Sequence, residues 1–146
     1  MDLIKVSLPI AYMIESLRHN GVSDQELLKQ VEKKDISSWE SFNLNFDFNE
    51  LIKLSEKNPH DFNSIIHDGY SVKFLTINGL KNLLWLKFHK KESQDYHLNN
   101  YGISTLTLNK QQYLTLQQLL SSNWNIQEIQ TEVNGKITIN IKLINH

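Results

Sequence analysis

The sequence predicts an α+β fold, with an N-terminal helical hairpin and short helices packed on a mostly antiparallel C-terminal sheet that ends in a β-hairpin. Three observations predict it. Apolar residues in the first third recur at the spacing of one helix face, and residues near the end alternate at strand spacing. No repeat of fixed period and no Pro- or Gly-rich linker divides the chain, which holds 2 Pro and 5 Gly. At roughly 100–200 residues per domain, the 146 residues therefore read as one domain, 1–68 mainly helical and 69–146 α+β.

Each element has its own signal. Ile10, Met13, Ile14 and Leu17 lie at i, i+3, i+4 and i+7, which puts them on one side of a helix. Pro9 suits its first turn, and Asn20-Gly21 its left-handed stop. Ser23 and Glu26 form a capping box for a second helix whose stripe is Leu27, Leu28 and Val31, with Lys33-Lys34 at its negative end. Phe42, Leu44, Phe46 and Phe48 alternate with polar residues and predict a short strand. A third helix over Asn49–Lys57 is closed by Pro59, and Asp61–His67 adds one or two helical turns before Asp68-Gly69.

Ser71 to Ile77 is β-prone. Asn78-Gly79 is a strong hairpin signal, yet Leu80, Leu83, Leu84 and Phe88 match a helical stripe. Leu80–Phe88 holds no Val, Ile or Thr, which favours a helix. His89–Gly102 is polar and reads as a long surface loop. A strand follows at Ile103–Leu108, then a helix from Lys110 to about Ser121, capped by Asn109, with Tyr113, Leu116, Leu119 and Leu120 inward. The closing hairpin runs Trp124–Val133 and Lys136–Ile144. A two-residue Asn134-Gly135 loop would set Ile137 and Ile139 opposite polar side chains. A three-residue loop with Gly135 as a bulge instead pairs Ile129 with Ile139 and Thr131 with Ile137, and is the expected form.

Composition excludes several classes of function. At 40% hydrophobic and 21% charged residues, the chain is not a disordered polyelectrolyte. With no cysteine it has no disulfide, thiolate nucleophile or Cys-held zinc or iron–sulfur centre. No apolar run of about 18 residues offers a membrane span. Met1 to Pro9 lacks a basic n-region and a clean apolar stretch, so no signal peptide is read there and the cytoplasm is the expected compartment.

Net charge is -1, but it is a cancellation. Residues 1–68 carry seven basic and twelve acidic side chains, 69–91 five lysines and no acid, and 92–146 three basic and four acidic. In the basic stretch, a helix over Leu80–Lys91 sets Lys87 and Lys91 one turn apart, flanks the apolar stripe with Lys81 and Lys90, and leaves Trp85 off it, near the surface. Such a surface suits an acidic protein partner or nucleic-acid phosphates, or is a solvated face paired with the acidic N-terminal half. The patch lacks arginine, so bidentate guanine recognition is not available. The first two helices resemble a DNA-reading pair in spacing, but Asp24 and Glu26 at the head of the second would repel phosphates, which leaves a plain helical hairpin.

Other candidates are fewer. Trp39, Phe42 and Phe46 are either anchors for a partner or core filling. Six histidines (His19, His60, His67, His89, His97 and His146) are the candidates for base or metal chemistry. His60-Asp61 and His67-Asp68 lie two helical turns apart, which allows a metal-assisted hydrolase as a third reading, although no H-E-x-x-H or other ligand spacing accompanies them. No phosphate-binding glycine loop or nucleophile elbow occurs. The expectation is a small non-enzymatic regulatory or inhibitory protein that binds a protein partner, with no catalytic residues, cofactor or metal. The alternative is a nucleic-acid-binding regulator using segment 69–91. Binding is expected at Lys81, Trp85, Lys87, Lys90, Lys91, Trp39, Phe42 and Phe46, and the exposed hairpin edge offers a route to a homodimer.

Overall fold

The computed structural model describes residues 3–42 and 44–144. Its order is β1 (Ile4–Val6), α1 (Leu8–His19), α2 (Asp24–Glu32), a 3-10 helix (Ser37–Phe42), α3 (Asn49–Lys57), α4 (Pro59–Asp68), β2 (Tyr70–Val72), α5 (Ile77–Phe88), β3 (His97–Asn99), β4 (Gly102–Leu108), α6 (Lys110–Leu119), β5 (Trp124–Thr131) and β6 (Ile137–Leu143). Strands β3-β4-β6-β5 form an antiparallel sheet, while β1 and β2 form a parallel pair. The α+β expectation, with helices first and a terminal hairpin, is therefore correct.

The caps explain the helix boundaries. The Ser7 hydroxyl accepts from the Ile10 N–H at 3.4 Å. At the other end of α1, Gly21 at φ +91 lets Val22 N–H reach Leu17 O at 3.0 Å and Gly21 N–H reach Arg18 O at 3.0 Å, a Schellman ending. Ser23 accepts from Glu26 N–H at 3.1 Å, but the Glu26 carboxylate takes the Ser23 hydroxyl at 3.3 Å instead of its N–H, so only half of a capping box forms. The full box appears at α6, between Asn109 and Gln112. Asn58 ends α3, and its side chain caps α4 through Asp61 N–H at 3.1 Å. Pro59 thus opens a helix as well as closing one.

Several expectations change. The alternating aromatics do not make a strand in the described residues of 42–48 (Asn43 lies outside them): Phe42 ends the 3-10 helix and Leu44–Asp47 has no regular structure. Asn45 sits at φ 56, a left-handed turn that breaks extended alternation. Asn78-Gly79 lies inside α5, because the Thr76 hydroxyl caps Gly79 N–H at 3.0 Å and starts the helix early. A Cβ on Gly79 would come within 2.7 Å of Leu8 Cδ2, so the glycine serves close approach to α1. The loop after α5 contains β3, which pairs with β4.

The hairpin has the expected three-residue loop. Glu132 N–H bonds to Lys136 O at 2.8 Å, Gly135 is at φ +88, and Thr131 faces Ile137. Ile129, however, is itself bulged: Glu128 stands opposite Ile139, and the register shifts before Gln130. Ile129 is 51% exposed as a result. The Tyr113 hydroxyl donates to Glu128 at 2.8 Å, giving the carboxylate a partner where an apolar residue was expected.

One cluster of buried apolar side chains runs from Val6 to Ile141. The helical part is tied to the hairpin at Leu75, whose N–H donates to Ser121 Oγ at 3.0 Å and whose carbonyl accepts from Trp124 Nε1 at 2.7 Å. Among the described residues no helix is long and apolar enough to cross a membrane.

Candidate functional site

Helix α5 arranges the basic stretch. It buries Leu80, Leu83 and Leu84 and so keeps Lys81, Asn82 and Trp85 on other sides. The helix ends when His89 turns left-handed at φ 59, ψ 33. Lys90 N–H then bonds back to Leu84 O at 3.1 Å. A tight turn follows, in which Lys91 N–H donates to the Asp95 carboxylate at 2.7 Å and Ser93 N–H to Tyr96 O at 2.8 Å. Tyr96 is thereby returned to the core, 2% exposed.

This reversal gathers Lys81, Asn82, Trp85, Lys90, Lys91, Glu92 and Tyr96 around a pocket of about 220 Å³. Lys81 Nζ lies 3.4 Å from Glu92 Oε1, and Lys91 Nζ sits 5.0 Å from the centre of the Trp85 ring, a cation–π contact. The Tyr96 hydroxyl is buried without a hydrogen-bond partner. Burial, then the charges of Glu92 and Asp95, push its ionisation up to about 12, so it is a neutral donor. The pocket is therefore lined by three lysines, one glutamate, an asparagine and the tryptophan, with the Tyr96 hydroxyl buried behind them.

Lys87 goes elsewhere. Its Nζ donates to Glu15 Oε2 at 2.8 Å, and Arg18 Nη1 donates to the same oxygen at 3.0 Å. The Tyr70 hydroxyl is the third donor to it. Glu15 is 1% exposed, so its charge is held by this shell. Arg18 also donates to Asp24 at 2.9 Å and to Ile66 O at 3.0 Å. Burial pulls the Arg18 guanidinium down, but Glu15 and Asp24 outweigh it and raise it overall. Burial and Glu15 hold the Tyr70 phenol well above its ordinary range. The network ties α1, α2, α4, β2 and α5 together, and it floors an open cleft of about 930 Å³ also lined by His19, His67, His89, Lys110 and Gln118.

Of the residues expected to bind, Lys81, Trp85, Lys90 and Lys91 converge and Lys87 does not. Trp39 fills the core at 1% exposure, edge-on to Phe48 at 5.4 Å. Phe42 and Phe46 are partly buried against that core. The aromatic segment is thus folded inward, because the 3-10 helix points Trp39 under the helical layer. His67 opens on the large cleft and His60 on a different cavity beside Leu3 and Ile4; His146 lies outside the described residues. Among those residues no three His, Asp or Glu side chains gather to hold a metal ion. Sequence reasoning missed Glu15, Arg18, Tyr70 and Tyr96. A charged residue set among the apolar positions of α1, three residues before the only arginine, was the available signal for the first two.

No family model matches this chain, and neither a curated protein nor a solved structure is significantly similar to it.

Proposed function

We propose that the protein acts by binding and not by catalysis, as a regulatory or inhibitory protein that engages an acidic segment of a protein partner at the Lys81/Trp85/Lys90/Lys91 pocket. The observation that carries this reading is the convergence of three lysines and a half-exposed tryptophan on one concave site. A carboxylate entering there meets complementary charge, and Trp85 supplies anchoring area. Trp85 favours protein over nucleic acid: Lys91 lies over its ring and two imidazoles flank it, so the ring is not a free platform for base stacking.

Fluorescence anisotropy with a labelled hexaglutamate peptide tests this, beside hexalysine and single-stranded oligo(dT). Hexaglutamate should bind saturably, weaken with salt, and be lost to a Lys90→Glu/Lys91→Glu variant. Binding unaffected by that reversal, or absent for the wild type, overturns the reading. Tighter binding of oligo(dT), with a salt slope that falls in the variant, replaces it with the nucleic-acid alternative.

A further inference from the structure

On the cleft side of Trp85, two histidines approach each other from two helix ends. His19 is the last residue of α1 and His89 caps α5. His19 Nδ1 and His89 Nε2 are 3.2 Å apart. The ring centroids are 5.0 Å apart, with planes inclined by 52°, so the rings meet through their nitrogens and are not stacked. The pair is at hydrogen-bonding distance, and two nitrogens each about 2.0–2.1 Å from one ion at the tetrahedral angle would be separated by about 3.3–3.4 Å, only slightly more.

The placement of the pair at two helix ends is compatible with a cation. Both residues sit at the C-terminal ends of twelve-residue helices, the negative ends of the helix dipoles, although the Leu17, Arg18, Leu84 and Trp85 carbonyls there already accept backbone N–H groups. Two such ends converge on the imidazole pair. Of the neighbouring cations, Arg18 and Lys87 are paired with Glu15. His89 also holds a left-handed conformation in which glycine or asparagine is the usual helix stop.

We propose that His19 and His89 form a bis-imidazole site for a divalent first-row transition ion, copper or zinc in chemical class. Neutral imidazole is a ligand for these ions, and copper binds such nitrogens more tightly than zinc. His19 coordinates through Nδ1 and His89 through Nε2, each carrying its proton on the other ring nitrogen. Because no third protein ligand gathers among the described residues, the remaining positions face the open cleft and are filled by water or by a donor from outside the chain. The site is separate from the lysine pocket and does not depend on what that pocket binds.

Trp85 supplies the readout, since its ring lies 5.5 Å from His19 and 5.6 Å from His89. Copper(II) titrated into the full chain should quench tryptophan fluorescence saturably at one equivalent, and zinc in large excess should reverse the quench by competition while magnesium does not. His19→Gln and His89→Asn, the second chosen because asparagine tolerates the left-handed helix end, should each weaken the copper titration by more than about tenfold. His60→Gln should leave it unchanged. Both histidines are exposed, so circular dichroism of the variants should match the wild type. A quench that survives the double variant, or that never saturates, overturns the proposal.

Discussion

Lys87 and Lys91 lie four positions apart in one basic stretch, yet they serve different parts of the molecule. Lys87 leaves the helix toward the interior and closes a shell of three donors on a buried carboxylate. Lys91 lies beyond the left-handed His89 and folds back over Trp85 at the surface. What separates them is where α5 stops. Had the helix run on to Lys91, both would share a face, and the stretch would be a uniform basic stripe. Charge counted along a sequence thus says nothing of which charges are neutralised inside the fold.

The contrast breaks most severely at Glu15. Glu15→Ala leaves two partly buried cations without their shared partner, at an expected cost of about 3–5 kcal/mol, read as a fall in the urea unfolding midpoint. Lys87→Met keeps the aliphatic stem and leaves Glu15 with Arg18 and Tyr70. Losing one bond to a charged group should cost about 1.5–3 kcal/mol in the same measurement.

A pH series compares the two regions through their tyrosines. The Tyr70 phenol is held protonated by burial and then Glu15, and the Tyr96 phenol, at about 12, by burial and then Glu92 and Asp95. An unfolded tyrosine ionises near about pH 10, so above that pH the folded chain binds more protons than the unfolded one. This contribution is intact below about pH 10 and is lost as pH rises through the folded values. Urea midpoints should therefore decline on the alkaline side, and Tyr96→Phe should make the decline shallower. An unchanged slope in that variant would show that Tyr96 gives no alkaline linkage. The smallest effect belongs to Lys91→Met, within about 0.5 kcal/mol of wild type. Equal losses at Lys87 and Lys91 would erase the distinction drawn between them.

The elements that could be read from sequence were those set by local chemistry. The stripe Met13, Ile14 and Leu17, the span Asn49–Lys57, the helix over Leu80–Phe88 and the three-residue loop at Gly135 each depend on neighbours within a few positions. The failures depend on distant partners. Ile4–Val6 alternates β-branched residues with Lys5 but is too short to be read as a strand by itself, and it becomes one because Tyr70–Val72 lies beside it. Phe42–Phe48 alternates like a strand but has no ladder to join. Tyr96 looked exposed among Glu92, Ser93, Gln94 and Asp95, and its burial comes from the turn built by the Asp95 carboxylate. The lysine pocket was half legible for the same reason: composition located the cations, and a single positive φ decided which of them meet.

The parallel pair β1–β2 also orders events in time. Its three ladder positions join Ile4–Val6 to Tyr70–Val72 across roughly sixty residues that include four α-helices and the 3-10 helix. Closing a loop of that length carries an entropic penalty that must be met before the ladder returns anything, and non-local pairings of this kind slow folding. During synthesis the first strand leaves the ribosome long before its partner exists. The β5–β6 hairpin needs only a few adjacent residues, whereas the N-terminal strand waits for the helical half to assemble between its two ends. It works as a latch on that half, engaged only after α1 to α4 have been made.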